Sequence, residues 1–192
     1  MLKRALLPVL LALPLAGCLS LGGDPPDQLL TLTPIEAAPA GFATNGPAAS
    51  ALAVLEPGTS QRLNVTRVPV QTSDSSLAYL KEAVWVEKPT RLFQSLLVET
   101  IRAKGNRLVV RENDLGARGI TMLSGQLLDM GYDVASGSVV VRYDGVLQRA
   151  DGQVQTRRFE SRVPAAADAV AVGPALNQAA NQVAGEVADW VG

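Results

Sequence analysis

The second half of the chain alternates apolar and polar side chains, as half-buried β-strands do. In residues 120–135 the apolar members of this alternation are Leu128, Met130, Tyr132 and Val134. The apolar parity is different before Gly125, so we expect a bulge or bend there. A second strand is predicted by apolar positions that share one of its faces, namely Val139, Val141, Tyr143, Gly145 and Leu147. Asp151-Gly152 predicts a tight turn, after which residues 153–163 return antiparallel.

Acidic side chains fall on the polar positions of this meander, and we expect them on its solvent face: Asp129, Asp133, Asp144 and Glu160. Further strands are predicted upstream, at 29–33 as an edge strand, at 51–55 as a buried strand, at 65–71 and at 107–111. Pro69 places its strand at an edge or a bulge, because proline donates no ladder hydrogen bond. Residues 72–76 predict a polar turn. Residues 77–86 predict a short hairpin that carries Tyr79 and Trp85.

Two stretches have the spacing of amphipathic helices. The first begins at Pro89, stops near Gly105, and has one apolar face, made of Leu92, Phe93, Leu96, Leu97, Thr100 and Ile101. The second begins at Pro174, and its apolar stripe is Leu176, Ala180, Val183, Val187, Trp190 and Val191. This order of elements predicts an α+β fold, a two-layer sandwich in which two helices pack on one face of a mostly antiparallel sheet.

The amino terminus has the pattern of a secretory signal. Lys3 and Arg4 precede an apolar run at 5–15, which as a helix is about 17 Å long and too short for a hydrocarbon core of about 30 Å. The sequence Leu15-Ala16-Gly17-Cys18 that follows resembles the bacterial lipobox. In that family the cysteine thiol receives a diacylglyceryl group, the preceding peptide is removed, and the new amino terminus is acylated.

The lipobox resemblance divides the chain into a lipoprotein signal peptide at 1–17, a lipidated tether at 18–28 and a domain at 29–192. Two or more acyl chains anchor a protein stably, whereas one chain does not. Leu19 implies the outer membrane, because an Asp at that position in enterobacterial lipoproteins signals retention at the inner membrane. The alternative is an ordinary secretory signal followed by an unmodified Cys18.

Composition removes several classes of function. The chain has no histidine, which excludes Ser-His-Asp and Cys-His catalysis and imidazole metal sites. Without residues 1–17 it carries 15 basic and 18 acidic side chains and no basic run, so we do not expect nucleic acid as a partner. Cys18 is the only cysteine. Catalysis by carboxylates or lysine stays open, but we expect no catalytic residue, no metal site and no cofactor beyond the lipid on Cys18.

A series of short stretches, taken in order, carries a resemblance to a known family. They are Leu29–Pro34, Val65–Thr72, Ala78–Val86, Pro89–Gln94, Gly125–Leu127 and the terminal Trp190-Val191. In this order they resemble the ABC-type transport auxiliary lipoproteins, the PqiC-like partners of MCE-domain transport systems. The resemblance covers nearly the whole chain after the signal, and no catalytic motif belongs to it.

The resemblance implies a non-enzymatic lipoprotein at the periplasmic face of the outer membrane. Its partners would be an MCE-domain protein and the permease and ATPase of one ABC system, which it would dock or tether at the membrane, and it could form a homo-oligomer. Two other functions stay open at this point. One is an envelope-assembly or lipopolysaccharide-handling lipoprotein without an ABC partner, and the other is a cell-wall hydrolase, which requires converging acidic groups.

Tyr79, Leu80 and Trp85 are the candidate partner-binding residues, because aromatic side chains anchor protein interfaces. The alternative for Leu80 and Trp85 is that they pack the sheet against the first helix. Tyr79 is the strongest candidate of the three for an interface.

Overall fold

The fold is that of a computed structural model, which describes residues 28–105, 107–111 and 120–192. Within them lie two helices, α1 (Pro89–Ala103) and α2 (Ala169–Val191), and a 3-10 turn at Ala48–Ser50. The strands are β1 (Leu52–Val54), β2 (Gly58–Thr59), β3 (Arg67–Ser73), β4 (Ser76–Val84), β5 (Val109–Arg111), β6 (Thr121–Asp133), β7 (Ser138–Gln148) and β8 (Val154–Pro164). The predicted signal peptide, Cys18 and all of the predicted tether except Gln28 lie outside the described residues.

The eight strands form one mixed sheet in which β6 has the most partners. β6, β7 and β8 pair antiparallel along most of their lengths, as the alternation predicts. β1, β2 and β3 pair with β6 in parallel, and β5 pairs with β1 in parallel. The α+β class is confirmed, but the sheet contains parallel pairings that the sequence did not predict. A tight turn marks a hairpin in the sequence, whereas parallel strands are joined by long connections that leave no local signal.

Helix α2 packs small side chains against β7 and β8. Five of its alanines are buried, at positions 175, 179, 180, 184 and 188. Because an alanine side chain ends at Cβ, the helix axis can lie close to the strands. The predicted apolar stripe of this helix is confirmed by the burial of Leu176, Ala180, Val183, Val187 and Val191.

A row of aromatic rings joins both helices to one face of the sheet. Phe93 on α1 lies 5.3 Å from Tyr143 on β7, measured between ring centroids. Tyr143 and Phe159 are directly opposite in the β7–β8 register, with centroids 6.4 Å apart, and Phe159 lies 5.5 Å from Trp190 on α2. Burial raises the pKa of the Tyr143 hydroxyl, which donates to the carbonyl of Ser124 at 2.7 Å.

The bulge in β6 lies three residues beyond the predicted position. The register with β7 slips between Leu127 and Asp129, so Leu128 is the additional residue. Leu127 is buried before the bulge, and Met130 is buried after it, which confirms the change of parity. The hydrophobic pattern reports that the parity changes, but it does not report at which residue the extra position is inserted.

Pro69 lies at a bulge and not at a sheet edge. Strand β3 lies between β4 and β6, and its register with β4 is irregular between Arg67 and Pro69. On this side of the sheet the edge strand is β4. The hairpin predicted within 77–86 is wrong, because residues 76–84 form one strand that pairs with β3. The polar turn is also shorter than predicted, because Thr72, Ser73 and Ser76 belong to the two strands.

Helix α2 begins five residues before the predicted start at Pro174. Asp168 is its N-cap, and the Asp168 carboxylate accepts a hydrogen bond from the backbone N–H of Ala171 at 2.8 Å. Pro174 therefore lies inside the helix, where it removes one backbone hydrogen bond. Helix α1 agrees with its predicted start at Pro89, and Gly105 follows it with a φ of 72°.

Two glycine substitutions test the packing of the sheet and of α2. A Cβ at Gly125 would lie 2.1 Å from the carbonyl oxygen of Asp144, so Gly125→Ala is expected to lower the free energy of unfolding by at least about 2 kcal/mol. An added Cβ at Gly185 in α2 would have no atom within 4 Å. Gly185→Ala should therefore raise the free energy of unfolding by about 0.5–1 kcal/mol. Urea unfolding of both variants checks the pair, and equal stabilities would contradict this account of the packing.

Candidate functional site

The face of β6, β7 and β8 opposite the helices carries interleaved arginines and carboxylates. Asp129, Arg142 and Glu160 are directly opposite one another in the registers of the three strands. The period of two along each strand places these side chains on one face and the buried Tyr143 and Phe159 on the other. We call this region the charged sheet face, and it comprises Arg62, Asp129, Asp133, Arg142, Glu160 and Arg162.

The charged sheet face is connected by ion pairs from one side to the other. Arg62 lies 3.2 Å from the Asp129 Oδ2 atom, and Arg142 lies 3.9 Å from the same oxygen. The Nε atom of Arg142 also donates to Glu160 at 2.5 Å. Each neighbouring pair has opposite charges, which is the favourable arrangement for cross-strand neighbours.

Two further contacts extend the ion pairs toward β8 and the β6–β7 turn. The Nε atom of Arg162 donates to Glu160 at 2.7 Å, and its Nη1 atom lies 3.5 Å from Asp133. Beside this group, Arg158 binds Asp144 through two parallel hydrogen bonds of 2.6 and 2.7 Å. The bidentate geometry fixes both side chains of that pair.

The guanidinium groups shift the pKa values of the carboxylates. Hydrogen bonds from Arg142 and Arg158 hold the pKa of Glu160 and of Asp144 below their usual range. A hydrogen bond from the Ser136 hydroxyl is the main cause of the lowered pKa of Asp133. Asp129 differs, because its burial raises its pKa although Arg62 and Arg142 oppose the change. Asp129 is therefore the most desolvated carboxylate of the charged sheet face.

An open cleft of about 430 Å³ is lined by the charged sheet face and by residues of the β3–β4 hairpin. Its lining includes Arg62, Gln71, Leu77, Asp129, Arg142 and Arg162. A retaining or inverting hydrolase needs two carboxyl groups that converge on the substrate. Three carboxylates line this cleft, Asp74, Asp129 and Asp133. Asp129 contacts two arginines, and Asp133 contacts Arg162. The described part of the chain has no group of three or more metal-ligating side chains. The cleft can offer fixed hydrogen-bond donors and charges to a surface that docks on it.

The structure places only one of the three predicted partner-binding residues beside this cleft. Tyr79 is half-buried, its ring lies 4.1 Å from the guanidinium carbon of Arg67, and its hydroxyl donates to the carbonyl of Arg62 at 3.4 Å. Leu80 is partly buried against the core, and Trp85 is 1% exposed within it. Trp85 therefore packs in the core, which agrees with the alternative given above that it packs the sheet against the first helix. Cys18 lies outside the described residues.

Arg62 joins the β3–β4 hairpin to the charged sheet face, and sequence reasoning missed it. Its Nη2 atom donates to the carbonyl of Leu128, the bulged residue of β6, at 2.6 Å. Arg62 lies between strands, where no periodicity assigns a direction to a side chain. Arg142, Arg158 and Arg162 could have been found, because the turn at Asp151-Gly152 fixes the β7–β8 register and places basic opposite acidic residues.

The segment after the predicted tether is attached to the core by side-chain amides. Leu30 forms one bridge, donating to the carbonyl of Val84 and accepting from the N–H of Val86. Beyond it, the N–H groups of Thr33 and Ile35 donate at 2.8 Å to the side chains of two α2 residues, Asn177 and Asn181. Asn181 also donates to the carbonyl of Thr33 at 3.0 Å. In place of the edge strand predicted at 29–33, the structure has a single β-bridge at Leu30, and the residues after it bind the amide side chains of α2.

The geometry defines an α+β domain with a fixed, charged sheet face. Residues 30–188 match the family model described as "ABC-type transport auxiliary lipoprotein component". The chain therefore belongs to this family, as the sequence resemblance indicated. It is an auxiliary lipoprotein component of a transport system, and this family is not described as an enzyme family. No curated protein matches the sequence.

Two crystal structures share the fold. Protein XCC0632 from Xanthomonas campestris, assigned to the family DUF330, is 21% identical with a TM-score of 0.63, over 86% of this chain and 92% of that one. An uncharacterized protein is 16% identical with a TM-score of 0.64, over 86% of this chain and 100% of its own. Neither helix in the described part of the chain is long and apolar enough to span a bilayer. A lipoprotein of a transport system belongs to the cell envelope.

Asn181 provides a test of the attachment of residues 33–35. Asn181 is 8% exposed, and Asn181→Ala leaves the N–H of Ile35 and the carbonyl of Thr33 without these partners. We expect a loss of about 1–3 kcal/mol in unfolding free energy and faster amide hydrogen exchange at Ile35. Gln178→Ala, on the exposed side of α2, is the control. Unchanged exchange at Ile35 in Asn181→Ala would show that the amide does not hold the segment.

The lowered pKa values predict how stability depends on pH. A carboxylate whose pKa is lower in the folded state contributes stability above its unfolded pKa, and the contribution is lost as the pH falls through the folded value. Glu160 has this sign, so stability should fall as the solution is acidified below its ordinary pKa of 4.5. Glu160→Gln should show a smaller acid-induced drop in melting temperature than the wild type. Glu36→Gln, outside the charged sheet face, should match the wild type, and an identical drop in all three proteins would contradict the assignment.

Proposed function

We propose that this protein is a lipid-anchored periplasmic adaptor that docks an ABC/MCE-type lipid transporter at the outer membrane. Membership of the auxiliary lipoprotein family supports the transport role. The lipobox at Leu15–Cys18 supports acylation of Cys18, and Leu19 supports the outer membrane. An acyl anchor confines the domain to the membrane surface, which raises its effective concentration near membrane partners. Each contact with a membrane partner can then be weak, and the complex can still persist.

The charged sheet face, together with Tyr79, is the observation that carries the docking proposal. Its guanidinium groups are already held by Asp129 and Glu160, so less side-chain freedom is lost when a partner binds. Arginine and tyrosine are enriched in protein interfaces, and interleaved charges select a partner and fix its orientation. Tyr79 adds an aromatic surface beside the cleft, and the guanidinium group of Arg67 packs against its ring.

The proposed occupant of this face is the MCE-domain protein of the same transport system. The permease and ATPase would then be indirect partners, since a periplasmic domain reaches them through the MCE protein. A homo-oligomer of this chain could repeat the docking face around one transporter. Neighbouring genes for an MCE protein, a permease and an ATPase would support this assignment.

Photocrosslinking tests the docking face directly. Leu77 is 39% exposed and lines the cleft, so a photoreactive side chain placed there should crosslink the MCE protein in intact cells. The matched control position is Gln178, exposed on α2, which should give no such product. Equal products from both positions would contradict a specific face. Crosslinks from position 77 only to other envelope proteins would instead favour the lipoprotein without an ABC partner.

Substitution of Tyr79 separates its ring from its hydroxyl. Tyr79→Ala removes the aromatic surface and its contact with Arg67, and should weaken co-purification with the MCE protein by at least about tenfold. Tyr79→Phe loses only the long hydrogen bond of 3.4 Å to Arg62 and should bind nearly as well as the wild type. Thermal unfolding of both variants excludes misfolding as the cause. Undiminished binding by a folded Tyr79→Ala variant would remove Tyr79 from the interface.

A further inference from the structure

Strand β4 has backbone groups that point out of the sheet. In the part of the chain that the structure describes, β3 is the only strand paired with β4. The carbonyl of Gln71 on β3 accepts from the N–H of Val134, just after β6, so Gln71 directs its backbone groups toward β6. Leu77 is opposite Gln71 in the antiparallel register, and opposite residues either bond to each other or both point away. The N–H and C=O of Leu77, and of Tyr79 two residues on, therefore point outward.

The outward backbone groups lie next to the cleft of the charged sheet face. Leu77 and Tyr79 are two residues apart, so their side chains share one face of β4. Leu77 lines the cleft, and the Tyr79 hydroxyl donates to the carbonyl of Arg62 at its border. A strand added beside β4 would continue the sheet and direct alternate side chains toward this cleft. We call residues 76–80, at the outer side of β4, the open edge.

Beyond the open edge, the outer side of the same chain already binds an extended segment. The register with β3 is irregular there, and Glu82 has a φ of 62°, which turns the chain out of the extended conformation. Past this bulge, the N–H of Leu30 donates to the carbonyl of Val84, and its carbonyl accepts from the N–H of Val86. The open edge thus adjoins a site where backbone groups are satisfied by a second segment.

The other edges of the described sheet are short or charged. β2 and β5 have only two and three residues. The outer strand β8 carries charged side chains, which discourage pairing with a further strand: Arg157, Arg158, Glu160 and Arg162. The open edge carries no charged side chain. Pro25 and Pro26 donate no hydrogen bond, so the predicted tether is poorly suited to pair with it.

We propose that an extended segment of the docked partner adds to the open edge as a further β-strand, bound by the N–H and C=O groups of Leu77 and Tyr79. For the identity of the partner, this inference rests on the proposed function, in which the MCE-domain protein occupies the charged sheet face. In strand addition, main-chain hydrogen bonds supply affinity and pockets for alternate side chains supply specificity. The open edge therefore holds the segment, and the adjoining cleft selects it.

Proline substitution removes an outward donor from the open edge. Leu77→Pro deletes the N–H, whereas Leu77→Ala shortens the same side chain and keeps it. We expect Leu77→Pro to reduce co-purification of the MCE protein at least about tenfold more than Leu77→Ala does. Ala78→Pro is the control for folding, because Ala78 is opposite Val70 and donates to β3, so this variant should melt at a lower temperature than Leu77→Pro. Equal co-purification by folded Leu77→Pro and Leu77→Ala would overturn the inference, and so would equal melting temperatures of the two proline variants.

Hydrogen exchange at single-residue resolution tests the added strand without a substitution. In the chain alone, the amides of Leu77 and Tyr79 should exchange faster than that of Ala78. In the detergent-solubilised complex with the MCE protein, exchange at Leu77 and Tyr79 should slow at least about tenfold. Unchanged exchange there, in a complex that does form, would overturn the inference and leave the proposed function intact. The same slowing by a different captured protein would support the added strand and contradict the MCE assignment, and the absence of any captured protein would overturn both.

Discussion

The close packing of α2 on β7 and β8 is the constraint on which the rest of the molecule depends. Its buried alanines bring the helix near the strands, and Trp190 reaches Phe159 in the aromatic row. The same helix supplies Asn177 and Asn181, which hold residues 33–35. Because one helix contacts the sheet and also binds residues 33–35, the segment that follows the predicted tether is attached to the core of the domain.

The helices also decide which sheet face is available for function. They cover the side that carries Tyr143 and Phe159, and the alternation of side chains then places Arg142 and Glu160 on the opposite side. On this opposite side, burial raises the pKa of Asp129, whereas the hydrogen bond from Arg142 lowers the pKa of Glu160. Arginines that are fixed by carboxylates suit recognition of a protein surface more than acid–base chemistry, which needs a proton to be exchanged.

Sequence patterns predicted the parts of the fold that arise from local periodicity. The meander of β6, β7 and β8, the helix that begins at Pro89 and the apolar stripe of α2 were all readable from spacing. The parallel pairings of β1 and β3 with β6 were not, because they depend on contacts between distant parts of the chain. Helix α2 begins before its predicted start at Pro174, because Asp168 caps the helix and Pro174 is accommodated inside it.

The candidate site was predicted only in part, for a related reason. Tyr79 was identified by residue type, and the acidic side chains were placed on the polar face by parity. Arg62 has no such signal, since it comes from a connection and reaches Asp129 only in the folded sheet. Trp85 shows the limit of residue type, because an aromatic residue suits an interface and a core equally well until its burial is known.

The account requires that the domain be held at a membrane by lipid on Cys18. Mass spectrometry of the mature amino terminus, on protein purified from membranes of the native host, tests this most directly. We expect a chain that begins at Cys18 and carries a diacylglyceryl group on the thiol and an acyl group on the amino terminus. A mature protein that retains residues 1–17, or that begins at an unmodified Cys18 and is found in the soluble fraction, would contradict the account.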